Sequence, residues 1–160
     1  MTQKDTLAFQ CSRSRKCSMH GQNHPFYERM CEVAITVGQI RSNIEPISFS
    51  GERYERKLLE AMKRYIELQK LLAIESPFFI MVSFLGVKDY KIVIQKSIHH
   101  IAEYTNKIDR MNLIIPEVMV ENFDCDMAEV MKPIFDTVWN AAGDIASPNY
   151  DTSGKFKFGY

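Results

Sequence analysis

Four thiol and imidazole side chains near the N-terminus have the chemistry of metal ligands: Cys11, Cys17, His20 and His24. A zinc ion takes about four nitrogen or sulfur ligands in a tetrahedron, so the residue types suffice. The spacing does not match, because the segment has no Cys-x-x-Cys knuckle and no second ligand pair across a loop. Zinc binding by this cluster is therefore the second alternative function.

Basic residues at the two ends of the chain have the chemistry of phosphate ligands. Near the N-terminus these are Arg13, Arg15 and Lys16, and near the C-terminus Lys155 and Lys157 alternate with aromatic residues. Such side chains neutralise phosphates, and aromatic rings stack on bases. The whole chain has 20 Lys and Arg against 20 Asp and Glu, so it has no net charge to attract a polyanion. Direct nucleic-acid binding is the first alternative function.

Motifs typical of enzymes are missing from the sequence. It has no glycine-rich phosphate loop, no dinucleotide fingerprint and no Gly-x-Ser-x-Gly elbow. Its carboxylates fall on predicted helix surfaces and helix starts, where solvation and capping account for them. The residues thus predict a protein that is not an enzyme and uses no cofactor.

The composition predicts one cytoplasmic domain with no membrane segment. A chain of 160 residues can bury one hydrophobic core. Its longest apolar run, residues 78–85, is much shorter than the roughly 20 residues that cross a bilayer. The N-terminus lacks the apolar core of a signal peptide, so the four cysteines indicate reduced thiols. We expect an irregular segment over residues 1–25 and a single domain over residues 26–160.

The clearest periodicity lies in a long helix predicted over residues 52–75. Ser50 is a suitable N-cap, and Pro77 disfavours a helical conformation in the residue before it. Apolar residues recur at alternating spacings of four and three, which indicates one broad buried face. This face consists of Tyr54, Leu58, Ala61, Tyr65, Leu68 and Leu72, widened by Leu59, Met62 and Ile66.

Strands are predicted near residues 30–38, 78–85, 90–95 and 113–120. In the run 78–85 apolar side chains would point to both faces of a strand, which predicts a central strand covered on both sides. The short turn after Gly86 favours a hairpin between this strand and residues 90–95. Pro116 has no backbone N–H, so the last strand must lie at an edge or contain a bulge. A short helix is predicted over residues 98–108.

A second helix is predicted over residues 133–142, with Pro133 in its first turn and Gly143 after its end. Asp126 would cap a separate short turn before it. The helix includes Trp139, which we expect near the Tyr65 side of the long helix. Together the elements predict an α+β fold in which a long helix and a C-terminal helix pack on a small mixed or antiparallel sheet.

Three blocks of the sequence resemble a known family. They are ERKLLEAMKRYIELQKLLAIESPFFIMVSFLGVKDYKI, IDRMNLIIPEVMVENFD and MKPIFDTVWNAAGDIASPNYD, within about residues 52–150. In this order and spacing they resemble the C-terminal region of bacterial Schlafen-like, ATP-binding proteins that begin with an Alba-type (divergent AAA) DNA-binding domain. The sequence departs from that pattern at Asp89, where the family has glycine, and at Asp144 and Ile145, where it has an aromatic-basic pair.

The resemblance implies an accessory or interaction domain, because the DNA-binding domain of that family has no counterpart in the matched region. It implies a protein partner or a homo-oligomer, and it transfers no site residue to this chain. We expect a contact surface that includes exposed aromatic residues, namely Phe26, Tyr27, Phe156 and Phe158.

Overall fold

A computed structural model describes residues 7–13, 30–37, 48–95 and 102–157 of the chain, with side chains for 48–94 and 103–157. The described residues form a mixed α+β structure, as the sequence predicts. In chain order the elements are β1 (Leu7–Arg13), β2 (Met30–Val37), β3 (Ser48–Ser50), α1 (Gly51–Leu71), β4 (Phe78–Leu85), β5 (Lys91–Gln95), β6 (Ala102–Tyr104), β7 (Asn112–Ile114), β8 (Val118–Val120) and α2 (Met127–Ala141).

Strand β4 is the central strand of the larger sheet, as its apolar run predicts. β2 pairs with it in parallel on one side, and β1 continues the sheet antiparallel to β2. On the other side β8 and β7 pair antiparallel with the two ends of β4. The predicted strand 113–120 is thus two short strands that flank Pro116, which cannot donate to a ladder.

Strand β5 belongs to a second sheet of order β3-β5-β6, so the predicted hairpin between residues 78–85 and 90–95 is wrong. The segment that follows β6 holds the turn after β4 in place. Val87 N donates to Met111 O and Asp89 N donates to Ile108 O, each at 2.9 Å. Asp89 has a φ of 67°, in the left-handed region that favours the glycine of the family pattern.

Two further predictions, both made from short stretches of sequence, differ from the structure. The helix predicted over 98–108 is wrong for its described part, because Ala102–Tyr104 is a strand and pairs with β5. Thr105 Oγ1 then accepts from Ile92 N at 2.8 Å and extends this contact. Strand β1 lies inside the segment predicted as irregular. Its alternation of apolar with polar or small residues, LAFQCSR, is the strand period that the polar composition concealed.

Helix α1 begins as predicted, with Ser50 Oγ accepting from Arg53 N at 3.3 Å. It ends at Leu71, four residues before the predicted end, and Ala73 follows with a left-handed φ of 52°. The core contacts the helix on the flank of the predicted stripe that contains Leu59, Met62 and Ile66. The buried face of the helix is therefore rotated relative to the predicted stripe. Leu68 and Leu72, at the end of that stripe, are exposed and not buried.

Helix α2 begins at Met127 and not at Pro133, so the prediction of a separate short turn is wrong. Asp126 caps it, since its Oδ1 accepts from Ala128 N at 2.9 Å. Met127, Ala128 and Met131 are buried and fix the first turns against the core. Pro133 lies on the exposed side of the helix, where water can solvate the carbonyl that lacks its N–H partner.

The hydrophobic core lies between the inner face of the larger sheet, the second sheet and the two helices. Its centre is the Tyr54 ring, which makes edge contacts with Phe84 at 5.7 Å and Phe135 at 5.9 Å. Trp139 packs against the first turn of α1, where the absence of a side chain at Gly51 makes room for the indole. Neither helix of the described chain has the length and apolar character that crossing a membrane requires.

Candidate functional site

The most unusual side chain of the described core is Glu55, a carboxylate with no solvent exposure. It lies in the second turn of α1, next to Tyr54 and one turn before Leu58 and Leu59, all of which are buried. An isolated charge in such a place would cost far more free energy than a folded domain can supply. The carboxylate must therefore be compensated by other groups.

Donors from the C-terminal part of the chain surround this carboxylate. Trp139 Nε1 donates to Oε1 at 2.6 Å, and Asn149 Nδ2 donates to Oε2 at 2.8 Å. Ser147 Oγ lies 2.8 Å from Oε1 and 3.0 Å from Oε2, so its hydroxyl can donate to either. The Tyr54 hydroxyl makes a longer contact of 3.3 Å with Oε1. These five residues are called the Glu55 cluster below.

Burial is the largest cause of the pKa shifts in the cluster, and hydrogen bonds and neighbouring charges are smaller causes. Desolvation raises the pKa of Glu55 above its usual value of 4.5, while the bonds from Asn149, Trp139, Ser147 and Tyr54 oppose that shift. Burial also raises the pKa of the Tyr54 phenol, and the adjacent Glu55 charge raises it further. The phenol therefore stays protonated as a donor.

The Glu55 cluster acts as a structural clasp and not as a reactive centre. A carboxylate offers about four lone-pair sites, and the donors of this cluster fill them. A general acid or base must reach the proton of a substrate, which a side chain with no exposure does not do. The arrangement instead ties α1 to residues that lie 84 to 94 positions later in the chain.

Sequence inspection missed this cluster, although one signal was present. Glu55 interrupts the apolar face of a helix, between Tyr54 and Leu58, where a charged residue needs a partner. The partners are not deducible from local pattern, because they come from a distant helix and loop. The cluster does join two of the blocks that carry the family resemblance, since Glu55 opens the first block and Trp139, Ser147 and Asn149 lie in the third.

The predicted zinc ligands fall largely outside the described residues. Cys17, His20 and His24 are not described, and Cys11 is seen only as the backbone partner of Val33 in the β1–β2 ladder. Among the described side chains, no group of three or more His, Cys, Asp and Glu residues is placed to hold a metal ion. The zinc hypothesis is therefore untested for its own residues.

The predicted phosphate ligands are not seen together. Arg15 and Lys16 lie outside the described residues, and Arg13 is placed only at the end of β1, opposite Cys31. Lys157 Nζ donates to Pro148 O at 2.6 Å, so this ammonium group helps to fasten the C-terminal loop. Lys155 is exposed. Direct nucleic-acid binding stays a prediction.

The aromatic contact surface predicted from the sequence is described only at Phe156, because Phe26, Tyr27 and Phe158 lie outside the described residues. Phe156 packs edge-on against Tyr150, with 5.2 Å between ring centroids. The Tyr150 hydroxyl donates to Ala128 O at 2.6 Å, on α2. Phe156 therefore contributes to packing of the C-terminal loop.

An exposed apolar patch lies at the C-terminal end of α1, and we call Leu68, Leu71 and Leu72 the leucine patch. Their exposed fractions are 48%, 83% and 57%. Charged residues of both signs border it on the same helix, among them Glu67 and Lys70, both exposed. An apolar centre with a charged rim is the usual composition of a protein–protein contact surface.

A second apolar surface is the face of the larger sheet that points away from the helices. In β4 the alternate residues Phe79, Met81, Ser83 and Leu85 are half-buried, whereas their neighbours in the strand are buried. The register places Ile114 beside Ser83, Met119 beside Phe79 and Asn112 beside Leu85. We call these seven residues the outer sheet face.

Comparison with known proteins supplies no relative for either surface or for the Glu55 cluster. No protein-family profile matches the chain, and neither curated proteins nor solved structures show a significant similarity to it.

Proposed function

We propose that the chain is a non-enzymatic interaction domain that binds a protein partner through the leucine patch. The observation that carries this proposal is the exposure of three leucines on one end of a helix whose other apolar residues are buried or half-buried. The buried carboxylate of Glu55 is enclosed by its donors and joins helix α1 to the C-terminal part of the chain. The described part of the chain thus offers exposed apolar surfaces for contact.

The leucine patch has the spacing of a helical binding motif. Leu68, Leu71 and Leu72 stand at positions i, i+3 and i+4, which lie on one side of a helix. Peptide-binding grooves receive helical anchors of this spacing. Full burial of a leucine contributes about 1.5–3 kcal/mol, and Leu71, at 83% exposed, retains nearly all of that free energy for a partner.

The partner that we propose carries a nucleic-acid-binding domain. The support for this choice is the resemblance of residues 52–150 to the C-terminal region of Schlafen-like proteins, in which an Alba-type domain accompanies this region. A chain with equal numbers of acidic and basic residues would then depend on its partner for contact with phosphate.

The proposal is tested by affinity capture with matched variants. The tagged full chain would be used as bait in a nuclease-treated lysate of its source cells, beside Leu71→Glu and an Ile114→Glu control on the outer sheet face. We expect a protein with a nucleic-acid-binding domain to be retained by the wild type and by the control, and to be lost with Leu71→Glu. Equal retention by Leu71→Glu, or retention only before nuclease treatment, would contradict the proposal.

A further inference from the structure

The outer side of α1, which faces away from the core, has an excess of positive charge. Six cationic side chains of this helix are exposed or half-buried, against three carboxylates, because its fourth carboxylate, Glu55, is buried. The whole chain has equal numbers of acidic and basic residues, so the excess is local to the helix. We call the six cations the basic face: Arg53, Arg56, Lys57, Lys63, Arg64 and Lys70.

The basic face and the leucine patch share one side of the helix. Lys57, Arg64 and Leu71 recur at intervals of seven residues, over which an α-helix drifts by only about 20°. At about 1.5 Å per residue, Arg64 lies about 10 Å from Leu71 along the helix axis, and Lys57 about 21 Å from it. A single extended element of a partner can therefore contact the leucines and the cations together.

Two cations beside the leucine patch are not neutralised by the described part of the chain. Lys70 Nζ is paired with Asp124 Oδ1 at 3.0 Å. By contrast, no described carboxylate forms an ion pair with Lys63 or Arg64, and both side chains are exposed. Charge left unpaired in this way gives a contact surface its preference for a complementary partner.

The carboxylates within the basic face favour a protein as its ligand and disfavour a nucleic acid. Glu60 and Glu67 lie between the rows of cations, three residues after Lys57 and Arg64. The hydrogen bond from Lys57 and the surrounding positive charges lower the pKa of Glu60, so this carboxylate is ionised. A phosphate backbone along the helix would meet these two negative charges and the leucine patch, and neither is a ligand for phosphate. A protein element with carboxylates beside apolar residues complements the whole surface.

We propose that the partner covers the leucine patch with an amphipathic helix whose flanks are acidic. Its apolar side would contact the three leucines, and its carboxylates would pair with Lys63 and Arg64. This inference rests on the proposed function and gives the chemistry of the partner. A helix fits this surface because two helices that pack side by side at a small angle stay in contact over several turns, with a repeat of seven residues.

The test uses two synthetic helical peptides of three heptads, both with leucine at positions a and d. One has glutamate at positions e and g and the other has lysine there, since these positions set the choice of partner. Binding to the full chain is measured by fluorescence anisotropy at about 50 mM salt. We expect the glutamate peptide to bind at least about tenfold more tightly than the lysine peptide, and its affinity to fall as salt is raised, because salt screens exposed charge pairs.

The double variant Lys63→Glu with Arg64→Glu should reverse this preference, because attraction to the glutamate peptide becomes repulsion. The matched control is Lys88→Glu with Lys107→Glu, which has the same net charge and changes two exposed lysines outside α1. It should change either dissociation constant by less than about threefold. Leu71→Ser, which removes apolar contact without adding charge, should weaken the binding of both peptides.

Three results would overturn the inference. In the first, Leu71→Ser weakens binding but the double variant keeps the preference for glutamate, which leaves the leucine patch as a binding surface without an acidic helix. In the second, the glutamate peptide fails to bind at about 1 mM. In the third, a DNA duplex binds and the double variant abolishes that binding, which assigns the basic face to phosphate. The proposed function is judged separately, by whether Leu71→Glu loses the captured protein, so either can fail while the other holds.

Discussion

Replacement of Glu55 by alanine should cost this domain a large share of its stability. The substitution removes the acceptor of Trp139 Nε1, Asn149 Nδ2 and the Ser147 hydroxyl, all of which are buried. A buried donor left without a partner costs about 1–3 kcal/mol. The hydroxyl can turn to another acceptor and water can enter the space, so we expect a total loss of about 3–5 kcal/mol. Domains of this size are stable by only about 5–15 kcal/mol.

Glu55→Gln separates the hydrogen bonds from the charge. The amide keeps one acceptor oxygen for Trp139, but its NH₂ group would face the NH₂ group of Asn149. We expect a loss of about 1–2 kcal/mol, because one bond is replaced by a donor–donor contact while the buried charge is removed.

The difference in stability between the wild type and Glu55→Gln should depend on pH, and the direction of that dependence follows from the pKa of Glu55. Because burial raises the pKa of Glu55, the folded chain binds a proton more tightly than the unfolded chain. The stability of the wild type relative to Glu55→Gln should therefore increase as the pH falls through the folded-state pKa towards 4.5. This advantage is complete below the unfolded-state value, and it is lost as the pH rises again through the folded-state value.

The assay is urea unfolding followed by fluorescence of the only tryptophan, which is the donor to Glu55 itself. The control is Glu67→Ala, an exposed glutamate on the same helix, which should change the free energy of unfolding by less than about 0.5 kcal/mol. If Glu55→Ala is no more destabilising than this control, the carboxylate does not hold the C-terminal residues and the clasp is refuted.

Three other substitutions test the elements around the clasp, each by urea unfolding. Gly51→Ala places a Cβ against the Trp139 ring and should cost about 3 kcal/mol, since neither the ring nor the helix can move freely; a neutral effect would show that the indole is loosely packed. Tyr150→Phe removes the bond to Ala128 O and should cost about 1 kcal/mol, with no loss expected if that bond is not formed. Ser50→Ala removes the N-cap of α1 and should cost about 1 kcal/mol, whereas Ser50→Gly should cost only a few tenths.

The local sequence pattern was sufficient to predict the elements with the clearest apolar periodicity. Helix α1 and strand β4 have long, regular apolar periods, and their places in the fold follow from those periods. The partner of β5 did not follow, because the turn after β4 donates its hydrogen bonds to the carbonyl oxygens of Ile108 and Met111 and does not form a hairpin. A short turn predicts a hairpin only when its backbone N–H groups do not hydrogen-bond to another segment of the chain.

The surfaces were predicted less well than the elements. A stripe at spacings of four and three does not state which of its flanks meets the core, so Leu68 and Leu72 were expected inside and are exposed. To predict the Glu55 cluster, one would need to know which distant loop packs against helix α1. Its chemical need was visible in the sequence, since a carboxylate among apolar neighbours must find donors, but its solution depended on the tertiary fold.

The long sequence interval inside the clasp has a consequence for biosynthesis. Ser147 lies 92 residues after Glu55, and at about 5–20 residues per second it is synthesised some 5–20 s later. Until then the carboxylate of a nascent α1 has no protein donors and must remain hydrated. The first half of the chain therefore cannot complete its core until Ser147 and Asn149 have been synthesised, and a chain that stops before Asn149 should stay open to chaperones and proteases.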